Sequence, residues 1–264
     1  MKPIGLLSLA RVALGLYLAV VLARLLPWAE DLYGQRGVLG DVTLSPLHGV
    51  LPAALHAWDV APAVFVGALV ALALALAAGL FPRVAAVLLW AGWALLWHRN
   101  VFTLNPAVPC LGFLLLAVAA TPGRGAMPRD VWRVVTIVLA VGYTWSGLTK
   151  LDSPSWRSGE ALGLILGGPL ARDVPWVAAL QASPALTTLL TWGTLAVELL
   201  ALPLAASRRL RPWSWLSLVG LHLGILASVQ FAELTLGMLV VHLFAFDPAW
   251  LPRRRRAAVA AAAC

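Results

Sequence analysis

Lys150 is the residue of this sequence best suited to chemistry. It ends an apolar stretch, within the run GYTWSGLTKLD at residues 142–152. An amine that is kept out of water gives up its charge more readily than a solvated one, and the neutral amine is a general base. The simpler interpretation is a lysine at a membrane boundary that pairs with Asp152. The sequence leaves both interpretations open at this point.

Other ionisable residues also lie inside apolar segments, where charge is expensive and side chains face a bundle interior or a wet cavity. Each has a structural interpretation beside the functional one. Arg11 and Arg24 are able to extend toward opposite membrane surfaces, and Glu198 is able to pair with an arginine and hold two helices together. His222 fits a satisfied core histidine, and His242, close to the inner boundary, fits a structural role better than a catalytic one.

The composition places these residues in a membrane protein. Of the 264 residues, 61% are hydrophobic and 11% are charged, and the mean hydropathy is +0.89. Soluble domains are about half apolar and about a quarter charged, so a soluble enzyme, a disordered chain and a nucleic-acid-binding domain are excluded. The two cysteines, Cys110 and Cys264, provide no disulfide framework and no cysteine-based metal site, and no metal is expected.

Long apolar runs predict an all-α fold, because a chain in lipid must satisfy its backbone polar groups within each segment. We expect a polytopic helix bundle with about eight transmembrane helices. The segments lie at Ile4–Leu26, Ala61–Phe81, Val84–Trp97, Ala107–Thr121, Val131–Thr149, Ala185–Ala206, Trp213–Val229 and Leu234–Phe246. The third, fourth and eighth segments are shorter than the roughly 20 residues that a perpendicular crossing needs.

Charge gives the orientation of these segments. Lys and Arg concentrate in alternate connections, most densely at Arg208, Arg209 and Arg211 and in the tail, whereas acidic residues lean to the opposite side. Both termini are therefore predicted to be cytoplasmic, with the long segments 28–60 and 150–184 facing outward. We expect one transmembrane domain at residues 1–252, followed by a basic, Ala-rich cytoplasmic tail at 253–264. The expected location is the bacterial inner membrane, with the active face toward the periplasm or exterior.

The motif around Lys150 resembles the HTTM family, the membrane domain shared by vitamin K-dependent gamma-carboxylases and smaller bacterial relatives. The resemblance lies in Gly147-Leu148-Thr149-Lys150-Leu151-Asp152, followed by Trp156 and Gly159. Weaker matches follow in order along residues 8–248. They are Arg11, Gly15 and Arg24; Tyr33, Gly37, Val38 and Leu39; Arg99-Asn100; and His222, Gln230-Phe231 and Gly237-Met238.

The resemblance implies a quinol-dependent enzyme with Lys150 and His222 as catalytic residues. Lys150 would take a proton from reduced vitamin K or menaquinol, and oxygen would add. A strongly basic intermediate would then deprotonate a second substrate, such as a peptide glutamate, at the outer face. His222 would bond the ring oxygen or an oxyanion. The quinol or substrate would be bound by His98, Arg99, Asn100, Trp156 and Glu198, and Arg11, Arg24 and Asp152 would form structural pairs.

We expect a compact bacterial member of the family that lacks the large lumenal domain of the carboxylase, because the sequence ends soon after its last predicted span. We therefore do not expect propeptide-guided carboxylation to transfer unchanged. Two other functions stay open. One is a non-catalytic or partner-dependent membrane factor for the maturation or export of a secreted peptide. The other is a DoxX-like quinone-associated subunit, against which the predicted number of spans argues. No internal repeat supports a transporter.

Overall fold

The computed structural model describes residues 6–44, 49, 60–103, 105–121 and 127–251. Within these ranges the regular secondary structure is helical, apart from an isolated antiparallel bridge between Ala171 and Val229. The predicted all-α class is confirmed. The predicted tail at 253–264, with Cys264, and much of the first outer segment lie outside the described residues.

Thirteen α-helices are present in the described part of the chain. They are α1 (Leu6–Leu25), α2 (Ala29–Tyr33), α3 (Pro62–Ala78), α4 (Pro82–Arg99), α5 (Ala107–Ala120), α6 (Arg129–Lys150), α7 (Pro154–Ser158), α8 (Ala161–Leu166), α9 (Pro175–Gln181), α10 (Pro184–Leu199), α11 (Ala201–Ala206), α12 (Arg211–Ser228) and α13 (Ala232–Ala245). Each of the eight predicted segments coincides with one helix or, in the sixth segment, with two.

Two helical stretches in the described ranges are long and apolar enough to cross a membrane, by length and composition: Leu6–Tyr33 and Arg129–Lys150. Three further apolar helices, α3, α5 and α13, are 10–17 residues long. Membrane association is supported to this extent, and the number of eight crossings stays a prediction.

Proline explains where several helices begin. Pro62, Pro82, Pro154, Pro175 and Pro184 stand at the first position of a helix. A proline at this position has no N–H to leave unpaired, and its fixed φ already suits the helix. The first residue of each of these helices is therefore determined by the local sequence.

One predicted helix is broken. The sixth segment was expected to run as a single helix over Ala185–Ala206, but it divides at Leu200 into α10 and α11. The physical reason is Pro203, which has no N–H to bond the carbonyl of Leu199 and whose ring clashes with that carbonyl. The break lies two residues after Glu198, and it therefore shapes the site described below.

The described chain divides into two compact units, and the boundary falls between Val131 and Trp132, within the first turn of α6. In the first unit, α1 and α3 pack through Gly15. A Cβ on Gly15 would lie 2.6 Å from the backbone nitrogen of Ala77 and 2.7 Å from the carbonyl oxygen of Ala73, so only glycine permits this approach.

Arg11 secures the same pair of helices. Its guanidinium donates to the carbonyl oxygens of Leu76 and Ala77, at 3.2 Å for Ala77. These carbonyls end α3, where Gly79 takes the left-handed conformation with φ of 78°. Positive charge is favourable at a helix C-terminus. Arg11 therefore caps the C-terminus of α3.

The second unit contains α6 to α13. Its segment between α8 and α9 is bonded to the end of α12. The Nε of Arg172 donates to the carbonyl of Leu226 at 2.8 Å, and the side chain of Gln230 donates to the carbonyl of Ala171 at 3.1 Å. Part of the predicted outer segment 150–184 is thus ordered as α7, α8 and α9 rather than as an irregular loop.

Candidate functional site

The amine of Lys150 forms a two-oxygen ion pair with Glu198. The Nζ–Oε1 and Nζ–Oε2 distances are 2.8 and 2.6 Å, and the Ser146 hydroxyl oxygen accepts a third bond at 2.7 Å. The Lys150 side chain is 23% exposed and that of Glu198 is 7% exposed. The ring of Trp156 lies 5.1 Å from Nζ, measured to the ring centroid. A desolvated carboxylate, a hydroxyl and an aromatic face therefore surround one amine.

Helix packing brings this pair together. Gly147 lies against Leu199, and a Cβ at Gly147 would be 3.0 Å from the Leu199 backbone nitrogen. The glycine lets α10 approach α6 closely, and Lys150, three residues further along α6, then meets Glu198. The Gly-x-x-Lys spacing of the motif thus has a physical reason in the contact between two helices.

Thr144 fixes the backbone beside Glu198. Its hydroxyl donates toward the carbonyl oxygens of Glu198 and Leu199, at 3.3 and 3.5 Å, and accepts from the backbone nitrogen of Leu202 at 3.1 Å. These polar groups are the ones that the break at Leu200 leaves without regular helical partners. One hydroxyl of α6 therefore stabilises the interruption next to the ion pair.

A second polar cluster lies in the same unit, around Tyr143. Its hydroxyl oxygen lies 2.5 Å from the Nε2 of His222 and 2.9 Å from the Nε2 of His242. Both imidazoles are buried, at 4% and 1% exposure. Tyr143 and Lys150 are seven residues apart, which places them on one face of α6, two turns from each other.

Aromatic rings border the His242 end of this cluster. Tyr143 stacks on His242 with a centroid separation of 5.8 Å, and Trp215 meets His242 edge-on at 6.2 Å. The indole nitrogen of Trp215 donates to the backbone oxygen of His242 at 2.9 Å. Phe246 and Trp250 pack on Trp215 in turn. The cluster is polar at its centre and aromatic at this border.

The predicted binding residues at the end of α4 lie in the first unit. Arg99 donates through Nε to the carbonyl of Tyr33 at 2.9 Å, and Asn100 donates to the carbonyl of Leu32 at 2.8 Å. His98 is buried beside them. The Arg99-Asn100 pair and the Tyr33 motif, which the sequence analysis treats as separate matches, are thus joined at the end of α2.

Arg99 also lines a cavity of about 480 Å³ in the first unit. Charges of both signs border this cavity, from Glu30 and Asp31 on α2 and from Arg36 and Arg99. Pockets of roughly 300–1,000 Å³ suit small ligands. Asn100 is not among the residues that line this cavity. Its amide oxygen accepts a hydrogen bond from the backbone nitrogen of Phe102 at 3.0 Å.

The ion pair corrects two structural alternatives from the sequence. Lys150 pairs with Glu198 and not with Asp152, and Glu198 pairs with this lysine and not with an arginine. Asp152 lies in the turn after α6, where its backbone nitrogen bonds the carbonyl of Thr149. Arg24 lies exposed in the last turn of α1. A carboxylate from a distant helix therefore prevails over the one that is local in sequence.

Tyr143, Thr144 and Ser146 take part in these contacts although the sequence analysis assigns them no role, and all three lie in or beside the motif around Lys150. A signal was present: Tyr143, Gly147 and Lys150 follow one another at helical spacing along one face. His242 makes a contact that the sequence does not predict, because its Nε2 bonds the same Tyr143 hydroxyl as His222 does. In the described ranges, no three His, Cys, Asp or Glu side chains come together as metal ligands.

Comparison with known proteins leaves the site to be interpreted from its own geometry. No protein-family model, no curated protein and no solved structure matches the chain. The likeness to the HTTM family rests on the residues quoted above and stays a prediction.

Proposed function

We propose that the protein is an integral membrane enzyme that acts on a lipid quinol and oxygen, with Lys150 as its base. The Lys150–Glu198 pair carries the proposal. An ionisable pair between largely apolar helices is costly to desolvate and is a functional-site candidate by default. The quinol is reduced vitamin K or menaquinol, and the second substrate is a carbon acid such as a peptide glutamate.

Exposed apolar side chains support the membrane setting. Val20 on α1, Trp145 on α6 and Leu189 on α10 are 60%, 66% and 65% exposed. A helix that is apolar on its outer as well as its inner face is typical of a lipid-facing segment. A bilayer covers such surfaces, and it is also the phase from which a quinol with an isoprenoid tail would enter.

The surroundings of Lys150 fit a quinol ring. The amine retains partial exposure, so a ligand is able to reach it, and Trp156 presents an aromatic face beside it. Rings stack favourably on such a face. Lys150 and Trp156 would hold the ring end, and a bound quinol would supply a dissociable hydroxyl proton and two electrons for oxygen.

The ion pair provides a place for the proton that Lys150 must lose before it acts as a base. In the ion pair Lys150 carries three hydrogens on Nζ and has no lone pair to offer, while both carboxylate oxygens of Glu198 accept from it. In the proposed step the two partners neutralise each other, because a charge in an apolar setting is costly. Transfer of one proton from Nζ to Oε2, across 2.6 Å, gives a neutral amine and a carboxylic acid. The amine then accepts the substrate proton, and Ser146 keeps it oriented.

Oxygen uptake by the purified protein in nanodiscs, with vitamin K hydroquinone as the added quinol, tests this proposal. We expect Lys150→Ala to lower the rate by about 10²-fold or more, the scale on which general bases contribute. Glu198→Gln is expected to lower it as well, since the acceptor of the lysine proton is removed. Arg157→Ala on the neighbouring α7 changes an exposed cation and is the matched control. Unchanged uptake in Lys150→Ala refutes the base.

The same ion pair favours a second candidate, because it also joins α6 to α10. In that case the protein is a non-catalytic membrane factor that helps a secreted peptide to mature or leave the cell. Complementation of a deletion strain separates the two functions. A Lys150→Ala variant that accumulates normally and complements fully supports the factor, and one that accumulates normally and fails to complement supports the enzyme.

A further inference from the structure

In the cluster of Tyr143, His222 and His242, the number of available hydrogens limits which atoms donate the hydrogen bonds. The phenol oxygen lies within hydrogen-bond distance of both Nε2 atoms, at 2.5 and 2.9 Å. A phenol has one hydrogen and donates one bond. At least one of the two Nε2 atoms must therefore carry a hydrogen and donate to the phenol oxygen.

The far side of each ring carries a second constraint. The Nδ1 atoms of His222 and His242 are both buried, and neither has a hydrogen-bond partner within the described part of the chain. A neutral imidazole has one donor nitrogen and one acceptor nitrogen. If one ring donates from Nε2 and the other accepts there, one Nδ1 is an acceptor and the other is a donor. The cluster then ends in one open acceptor and one open donor.

Open polar atoms of this kind are expensive inside a protein. An unsatisfied buried donor or acceptor carries its full desolvation penalty, and native structures meet most such groups with protein partners or with water. A buried water needs polar neighbours, and an imidazole nitrogen is one. The two Nδ1 atoms are therefore places where water, or another small hydroxylic molecule, has a reason to bind.

We propose that His222, Tyr143 and His242 form a proton relay whose two ends exchange protons with bound water. A proton reaches the open Nδ1 acceptor of one imidazole, and that ring passes its Nε2 hydrogen to the phenol oxygen. The phenol passes its own hydrogen to the Nε2 of the other imidazole, and that ring releases its Nδ1 hydrogen to water. One proton enters and one leaves. The two tautomers exchange roles, and no group is oxidised or left charged.

The relay is distinct from the proposed quinol chemistry, because Tyr143 lies two turns of α6 away from Lys150. Its border on the His242 side is aromatic, through Trp215, whose indole hydrogen is directed to the His242 backbone rather than to the ring nitrogens. No quinol is needed for its test.

Nitrogen NMR of the protein in nanodiscs, with ¹⁵N-labelled histidine rings, tests the relay. Single His222→Gln and His242→Gln variants assign the two rings. We expect both rings to be neutral and of opposite tautomer, and to exchange tautomers at one common rate that slows in D₂O. In Tyr143→Phe, which keeps the ring and loses the hydroxyl, this shared exchange should be lost. His98 in the same sample is the internal control.

Fixed tautomers in the unmodified protein overturn the relay, as do unequal exchange rates or exchange that survives in Tyr143→Phe. A second measurement covers the case in which that variant does not fold. Replacing all three tyrosines with 3-fluorotyrosine retains their shape and makes the phenols more acidic. The shared exchange rate should then change at both rings, and an unchanged rate overturns the proposal.

Discussion

We expect the stability of the protein to depend on the ion pair between Lys150 and Glu198. If Glu198 is changed to Gln, the amine loses its counter-charge and one of the two oxygens that accept from it, while Ser146 and Trp156 remain beside it. Because the lysine side chain is 23% exposed, the expected loss of stability is smaller than for a fully buried pair, about 1–3 kcal/mol. The melting temperature in detergent should fall measurably for this variant.

The double variant Lys150→Met, Glu198→Leu provides the control for that prediction. It replaces both charges by apolar side chains of similar volume, which is often neutral or stabilising for buried pairs. We expect it to be more stable than Lys150→Met alone or Glu198→Leu alone, and a double-mutant cycle of these variants measures the difference. A loss in the double variant equal to the sum of the two single losses would show that the pair contributes no coupling.

Gly147 and Gly142 are a matched pair of glycines on α6. A side chain at Gly147 would press on the backbone and side chain of Leu199, while a Cβ at Gly142 has nothing within 4 Å. We predict that Gly147→Val destabilises the protein by about 1–3 kcal/mol through overpacking, and that Gly142→Val has a much smaller effect. Thermal denaturation of both variants measures the difference. Equal melting temperatures would contradict the close helix approach.

At the scale of helices, the sequence predicts where the helices lie along the chain, but it does not predict which helices pack against each other. Apolar runs and initial prolines are local signals, and the observed helices coincide with them. The sequence does not predict the break at Leu200 despite Pro203, because the residues on both sides are apolar and favour one continuous helix. Glu198 was recognised as unusual, but its partner lies 48 residues away along the chain, and the contact depends on how α6 and α10 pack.

The short helix α2 depends on side chains from the end of α4. Asn100 donates to the carbonyl of Leu32, and Arg99 donates to that of Tyr33. The turn that follows is bonded through the nitrogen of Val38 to the carbonyl of Asp31 at 2.8 Å. Residues 29–40 are therefore expected to be stabilised from outside their own segment.

Asn100→Ala tests this dependence by hydrogen–deuterium exchange. Loss of the hydrogen bond to the partly buried carbonyl of Leu32 costs about 1–3 kcal/mol, which raises local exchange roughly 5- to 150-fold. We expect the increase at Gly34 and Val38. Asn105→Ala is the control, because Asn105 accepts from the nitrogen of Ala107 at the start of α5. If both variants change exchange at residues 29–40 equally, Asn100 has no specific role there.

At the scale of the molecule, charge patterning and helix length give different amounts of information. The alternation of basic and acidic connections predicts eight crossings, whereas two helical stretches in the described ranges satisfy a length and composition criterion. Four of the other six helices fall short in length, because α10 stops before Leu200 and α3, α5 and α13 are short. The remaining two, α4 and α12, have 18 residues each and miss the criterion on composition. Short helices cross a bilayer only where it thins or where flanking residues extend their reach, so a direct measurement of sidedness is needed.

Two serines on either side of α10 and α11 make that measurement decisive. Ser158 ends α7 and Ser207 follows α11. With Cys110 and Cys264 replaced by serine, we expect a membrane-impermeant maleimide to label Ser158→Cys in intact spheroplasts and Ser207→Cys only after permeabilisation. This outcome requires the chain between the two positions, which contains α10 and α11, to cross the membrane. Labelling of both positions from the same side would mean that α10 and α11 do not cross. The outward-facing quinol site would then have to be abandoned, while the histidine–tyrosine relay, which does not depend on sidedness, would still stand or fall by its own exchange rates.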